Sequence, residues 1–185
     1  MKKLFGLFLI LSTIALAQPF SAGIKVGAPF TDAISLLPGA PPDDNAGTNH
    51  YIIGPYGEVR LPGGFSVEVD ALYRSFNYSS PGQVTVNKGN WEFPVMAKYK
   101  LLKKGPVKPY IEGGLVLSHL TGSDLNITHA SNYGVTLGAG IEIHAFVLRI
   151  SPEVRYDGFF FHDFSSNTFV QSNRNQAMVL VGIGF

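Results

Sequence analysis

Ala177-Met178-Val179-Leu180-Val181-Gly182-Ile183-Gly184-Phe185 alternates apolar residues with glycine over its last five positions. Ala177, Val179, Val181, Ile183 and Phe185 share one parity, and Gly182 and Gly184 stand on the other. A period of two is the signature of a strand, and about nine residues is the length at which a tilted strand crosses a bilayer. A strand edge left open aggregates in water and finds no hydrogen-bond partner in lipid. The stretch therefore requires a neighbour, and the first strand of the chain is the natural one, closing a barrel.

The length of 185 residues fits one domain with a full core. The 21 Gly, 12 Pro, 14 Phe and 8 Tyr lean towards an all-β chain with many turns. At the N-terminus, Lys2-Lys3 precedes a short apolar run, Leu4 to Leu16, and Ala15-Leu16-Ala17 is a small-x-small site before Gln18-Pro19. This pattern predicts a cleaved secretory signal over residues 1–17 and a barrel domain over 18–185. The run is shorter than the ~18 to 20 apolar residues of a spanning helix. The chain has no Cys, which excludes disulfides, thiol chemistry and thiolate zinc sites. Without Lys2 and Lys3 the balance is 12 basic to 13 acidic side chains, so nothing points to nucleic acid. No later stretch is apolar enough for a transmembrane helix, so a membrane crossing would be made by strands.

From Phe20 onward, alternating segments are separated by turns that are short and long in rotation. Ala22, Ile24, Val26, Ala28 and Phe30 form the apolar parity of a first strand, with Lys25 on the other; a polar, Pro-rich loop from Thr31 to Asn49 follows. Tyr51, Ile53, Val59 and Leu61 oppose Ile52, Tyr56, Glu58 and Arg60, and Pro62-Gly63-Gly64 is a tight turn. Phe65, Val67, Val69, Ala71 and Tyr73 oppose Ser66, Glu68, Asp70 and Arg74, before a loop from about Ser75 to Asn90. Trp91 to Leu101 makes a fourth strand, with Glu92, Met96, Lys98 and Lys100 on its inner parity. A fifth runs from about Lys108 to Leu117, with Tyr110 and Glu112 inside. Tyr133 to His144 alternates most cleanly, with Glu142 and His144 opposite an apolar row. Leu148 to Tyr156 turns Arg149, Ser151, Glu153 and Arg155 inward, and the last loop is expected from Asp157 to Asn175. These segments predict an eight-stranded antiparallel up-and-down transmembrane β-barrel with both termini at the short-turn end.

The charges decide between a soluble and a lipid-facing barrel, because a soluble barrel hides its apolar parity and a membrane barrel turns it outward. The apolar parity carries no charge. The other carries Lys25, Glu58, Arg60, Glu68, Asp70, Arg74, Glu92, Lys98, Lys100, Glu112, Glu142, Arg149, Glu153 and Arg155, seven of each sign. In so narrow an interior, balanced charges are expected to pair across the lumen and make a polar plug, not a pore. The inner glycines fit such a crowded lumen. Tyr51, Tyr73, Trp91, Tyr133 and Tyr156 near the loop end, and Phe65, Tyr99 and Phe185 near the turn end, fit two aromatic girdles at the membrane interfaces.

Trp91-Glu92-Phe93-Pro94-Val95, the Gly-rich strand Gly134 to Ile143, Ser151-Pro152-Glu153-Val154-Arg155-Tyr156 and the terminal strand ending in Phe185 together resemble the small outer-membrane β-barrel family, the OmpA-type transmembrane domain and its OmpX/Ail-like relatives. The resemblance spans essentially the whole mature length. It implies a bacterial outer-membrane protein surrounded by lipid and lipopolysaccharide, expected as a monomer. In that family the C-terminal aromatic strand resembles the signal read by the barrel-assembly machinery, which would make Phe185 an assembly signal. No segment remains for a peptidoglycan-binding domain of the kind larger relatives carry.

Relatives include structural proteins, adhesins and a few lipid A-modifying enzymes. His162-Asp163 with Ser165 or Ser166 is the only local cluster with the residue types of a hydrolase, and Phe159-Phe160-Phe161 beside it could contact acyl chains; a solvated loop is the plainer reading. His50, His119 and His129 also fall in or beside loops. Asp43-Asp44-Asn45 lacks the spacing of a calcium loop. No catalytic residue, metal site or cofactor is assigned. The expected function is a non-enzymatic scaffold whose loops meet an extracellular ligand, with a lipid A-modifying hydrolase, a narrow porin or a soluble lipocalin-type barrel as alternatives.

Overall fold

The structure, a computed structural model, describes residues 20–32, 34–36, 45–48, 50–79, 86–102, 105–121, 131–145, 147–161 and 170–185. The expected signal segment, the His162 cluster, His129 and Asp43-Asp44 lie outside them. Eight antiparallel strands close a barrel: β1 (Phe20–Pro29), β2 (Ile52–Arg60), β3 in two pieces (Phe65–Asp70 and Leu72–Ser79), β4 (Val86–Lys100), β5 (Val107–Thr121), β6 (Ser131–Ala145), β7 (Leu148–Phe159) and β8 (Asn175–Gly184). Each pairs with its sequence neighbours, and β1 pairs with β8 from Gly23↔Gly184 to Pro29↔Met178. Beyond the last ladder pair, the Phe185 N–H donates to the Ala22 carbonyl at 3.2 Å and the Ser21 hydroxyl to the Phe185 carbonyl at 2.9 Å. No strand of the barrel is left with an open edge across the wall, as lipid demands.

Short turns join β2 to β3, β4 to β5 and β6 to β7 at one end, called here the turn end. Gly63 (φ 86°), Gly64 (φ 93°) and Gly105 (φ 105°) sit in these turns with left-handed backbones that side-chain-bearing residues rarely adopt. The opposite, loop end carries the longer connections. There the strands outrun their sequence reading. β3 continues to Ser79 and β4 begins at Val86, so most of the loop expected from Ser75 to Asn90 is strand. β5 reaches Thr121, which puts His119 on a strand, and β7 reaches Phe159. The first long loop contains two short strands, Ile34–Leu36 paired with Val170–Ser172 and Asn45–Thr48 paired with the end of β3.

The parity reading holds around the barrel. Outward residues such as Leu115 and Leu137 are 64% and 59% exposed, while Lys25, Glu68, Asp70, Arg74 and Arg155 on the other parity are each 1% exposed. Most inner glycines, though not Gly182, mark where strands or rings approach too closely for a side chain. A Cβ on Gly140 would lie 2.5 Å from the Tyr110 ring and 2.7 Å from the Pro152 carbonyl oxygen, whereas one on the outward Gly57 would meet nothing closer than the Phe20 ring at 3.6 Å. Gly140→Ala is therefore expected to destabilise the barrel by roughly 1–3 kcal/mol, the usual cost of overpacking, and Gly57→Ala to be tolerated. Urea midpoints of the refolded variants in lipid vesicles check this; equal midpoints would contradict the crowding.

Candidate functional site

Among the described residues, the lumen is where the fold gathers chemically active side chains from all around the barrel, and it does so in layers. At mid-height, β1, β3, β4, β5 and β7 bring together Lys25, Glu68, Asp70, Lys98, Glu112, Glu153 and Arg155. The Lys25 ammonium contacts Glu68 at 2.5 Å, Glu153 at 2.9 Å and Asp70 at 3.2 Å. Lys98 contacts Glu68 at 2.6 Å and Glu112 at 3.5 Å. Arg155 meets Glu153 at 2.6 Å, Asp70 at 2.8 Å and Glu112 at 3.4 Å. Towards the turn end, Lys100 lies 3.1 Å from Glu58 and 2.8 Å from Glu142, and Arg149 lies 3.0 Å from both carboxylates. Towards the loop end, the Arg74 guanidinium donates to Glu92 and to the Gln176 side-chain oxygen. Asn90 donates to Glu92 at 3.1 Å and accepts from Ser118 at 2.9 Å. Through Glu58, Glu142 and Gln176, the strands β2, β6 and β8 also join, so all eight contribute.

Two tyrosines complete the middle layer. Tyr110 donates to Glu153 at 2.7 Å while its ring lies against Gly140, and the Lys98 ammonium sits 4.3 Å from the ring centroid. Tyr56 lies across Gly23 and Gly184 at the seam between first and last strands, with Lys25 5.4 Å from its centroid. The sequence marks both as inward but gives no sign of these seats, because each ring rests on a glycine of another strand.

The lumen is not wholly polar, which corrects the expectation of a polar plug. Ile52, Leu72, Met178 and Leu180 form a buried apolar cluster inside it, where inward positions carry no charge. Arg60, grouped by parity with the buried charges, is half-buried at the turn end and makes no ion pair among the described residues. Asp157, expected at the start of a loop, is instead a lumen residue of β7, 1% exposed and opposite Thr136 and Gln176. Phe159 is also inside, 4% exposed, so only Phe160 and Phe161 of that aromatic run face outward.

Carboxylate oxygens of Glu68, Glu112 and Glu153 lie within 4.8 Å of one another, a spacing that could suit a metal. Lys25, Lys98 and Arg155 are each paired with carboxylates of this group, so the cluster is a knot of ion pairs.

Residues 4–146 match the family described as outer membrane protein beta-barrel domain. The chain belongs to that family. The fold is shared with solved barrels of low identity: OprG of Pseudomonas aeruginosa (11% identity, 89% of this chain and 92% of that one, TM-score 0.62), Neisserial surface protein A (16%, 90% and 96%, 0.58) and AlkL in lipid bilayers (12%, 90% and 88%, 0.54). No curated protein matches the sequence. Family membership assigns this outer membrane barrel to the bacterial outer membrane and its apolar outer face to lipid.

On that face the aromatic residues cluster by end. Tyr73 packs on Trp91 at 5.2 Å between ring centroids, and Tyr133 makes edge contacts with Phe160 and Phe161 at 5.6 and 5.4 Å. Tyr156 donates to Asn175 at 2.7 Å, and Tyr51 is exposed at the foot of β2. At the turn end Phe65 packs on Tyr99 at 4.7 Å, and Phe185 is exposed. Of the histidines, His119 lies 2.9 Å from the Ser131 hydroxyl on the exposed face, but no carboxylate orients that pair among the described residues.

The ion pairs in this outer membrane barrel are buried, so deleting one partner strands the others. Lys25→Met leaves Glu68, Asp70 and Glu153 short of a cation and is expected to cost roughly 3–5 kcal/mol. Arg60→Met should stay within about 0.5 kcal/mol. Urea unfolding in vesicles separates them, and a Lys25 variant as stable as the Arg60 variant would refute the network's role.

Proposed function

We propose that this outer membrane barrel is a non-enzymatic scaffold that holds its long loops at the cell surface, where they meet an extracellular ligand. The observation that carries this reading is the lumen. Ion pairs spanning β1, β3, β4, β5 and β7 tie its charged side chains to one another across the path through the barrel. With the interior committed to holding the barrel together, recognition falls to the loops, which carry function more often than scaffolds do.

In this reading residues 1–17 are a cleaved signal and the turn end faces the periplasm. Tyr51, Tyr73, Trp91, Tyr133 and Tyr156 sit at the outer interface, and Phe65, Tyr99 and Phe185 at the inner one, because amphipathic rings prefer the headgroup level. Lipid and lipopolysaccharide surround a monomer. Phe185 serves the barrel-assembly machinery as a signal and the folded barrel as a clamp, since its backbone holds Ser21 and Ala22.

Protease applied to intact cells is expected to cut within the long loops and leave the strands protected, with lipid A unchanged when the gene is deleted. Loops resistant in intact cells but cut in spheroplasts would reverse the orientation, and an altered lipid A profile would point to the hydrolase. Deleting Phe185 is expected to lower the amount of heat-modifiable barrel in the outer membrane; unchanged levels would count against its role in assembly.

A further inference from the structure

The outer wall between β3, β4 and β5 is indented near the turn end by a groove of about 310 Å3, lined by Phe65, Ala97, Tyr99, Ile111 and Gly113. Lys98 and Glu112 complete it, though their side chains are turned into the lumen. Its floor has a direct cause in the register. Ala97 and Gly113 are cross-strand partners, and the outward pairs on either side of them are large, Tyr99 with Ile111 and Val95 with Leu115. At these two positions the wall carries at most a methyl group, between large side chains above and below and Val67 and Leu137 to either side. The packed rings of Phe65 and Tyr99 make one bank, and Ile111, 52% exposed, makes the other.

A groove of this kind cannot stand empty in a bilayer. The surrounding solvent is hydrocarbon, so the gain there is contact: a chain in the groove meets atoms on its floor and on both banks, where the flat wall offers one side only. The groove is continuous with the lipid-facing belt of the barrel, so what reaches it is an acyl chain. Its place by the turn end selects the leaflet. We propose that the groove is a binding site for an acyl chain of a glycerophospholipid of the inner leaflet, seated on Ala97 and Gly113 between Ile111 and the Phe65–Tyr99 rings. The choice of leaflet rests on the orientation proposed above, which protease treatment of intact cells tests separately.

A side chain at position 113 can be admitted without moving backbone. The nearest atom to a Cβ there is the end of Leu137, at 3.0 Å, and the Thr136 carbonyl oxygen follows at 3.6 Å. Gly113→Leu should therefore fill the groove in a folded barrel, and Ala97→Leu fills it from the adjacent strand. The test is native mass spectrometry of the full chain extracted from outer membranes in mild detergent, with the heat-dependent gel shift as the measure of folding. The wild type is expected to retain a phospholipid adduct, and either folded variant to retain several-fold less. A wild type with no phospholipid adduct would overturn the proposal whatever the variants do. So would equal retention in wild type and folded variants, or a groove-dependent adduct of lipopolysaccharide in place of phospholipid.

Discussion

Everything in this barrel depends on satisfying the backbone of β1 and β8 against each other. In hydrocarbon each unpaired N–H or C=O costs several kcal/mol, and eight strands can meet that demand only by closing. The ladder from Gly23↔Gly184 to Pro29↔Met178 is that closure. The seam is tight because its inward positions are small. Gly23, Gly27 and Gly184 have backbone or side-chain atoms of the facing strands where a Cβ would stand, and Tyr56 from β2 covers Gly23 and Gly184. The terminal Phe185 extends the same seam by two further hydrogen bonds, so its aromatic ring is fixed at the rim by its own backbone.

Closure with so few strands creates the second constraint. The interior is too narrow to hold much water, yet the inward parity is charged, so the charges buried at mid-height find their counterparts across the lumen. Such a pair is close to neutral in stability against an apolar replacement; its value lies in specificity. Sliding one strand by a single residue would turn its charges into lipid and its apolar row inward. Lys25 reaches Glu68, Asp70 and Glu153 on β3 and β7, and Arg155 reaches Asp70 and Glu112 on β3 and β5, so the network fixes the register of strands that are not neighbours. The apolar cluster of Ile52, Leu72, Met178 and Leu180 fills the remaining space, and needs no partners to do so.

The sequence reveals the barrel because a period of two assigns every strand residue to a face, and the charges label one face as interior. β6 is the clearest case, since an apolar row from Tyr133 to Ile143 alternates with Gly, Thr, Glu and His; in β8 glycine alternates with apolar residues only from Val181 to Gly184. Face alone says nothing of height or of the angle around the axis, so the sequence puts Lys25, Glu68, Asp70 and Glu153 in the lumen without showing that they pair, across up to 128 positions. The same limit hid the seating of Tyr110 on Gly140. Strand ends were lost for a different reason. Past the membrane both faces of a strand meet water, so Ser, Asn and Gly read as loop although β3, β4 and β5 continue. Asp157 was missed because Phe159-Phe160-Phe161 places apolar residues on both parities and conceals the end of β7.

A lumen tied from strand to strand fits the proposed reading of the barrel as a support for its loops, and that reading has an electrical consequence. Planar-bilayer recording of the purified monomer measures this directly. The network predicts no steady conductance through the wild-type barrel. A large, steady conductance from the folded monomer would contradict it.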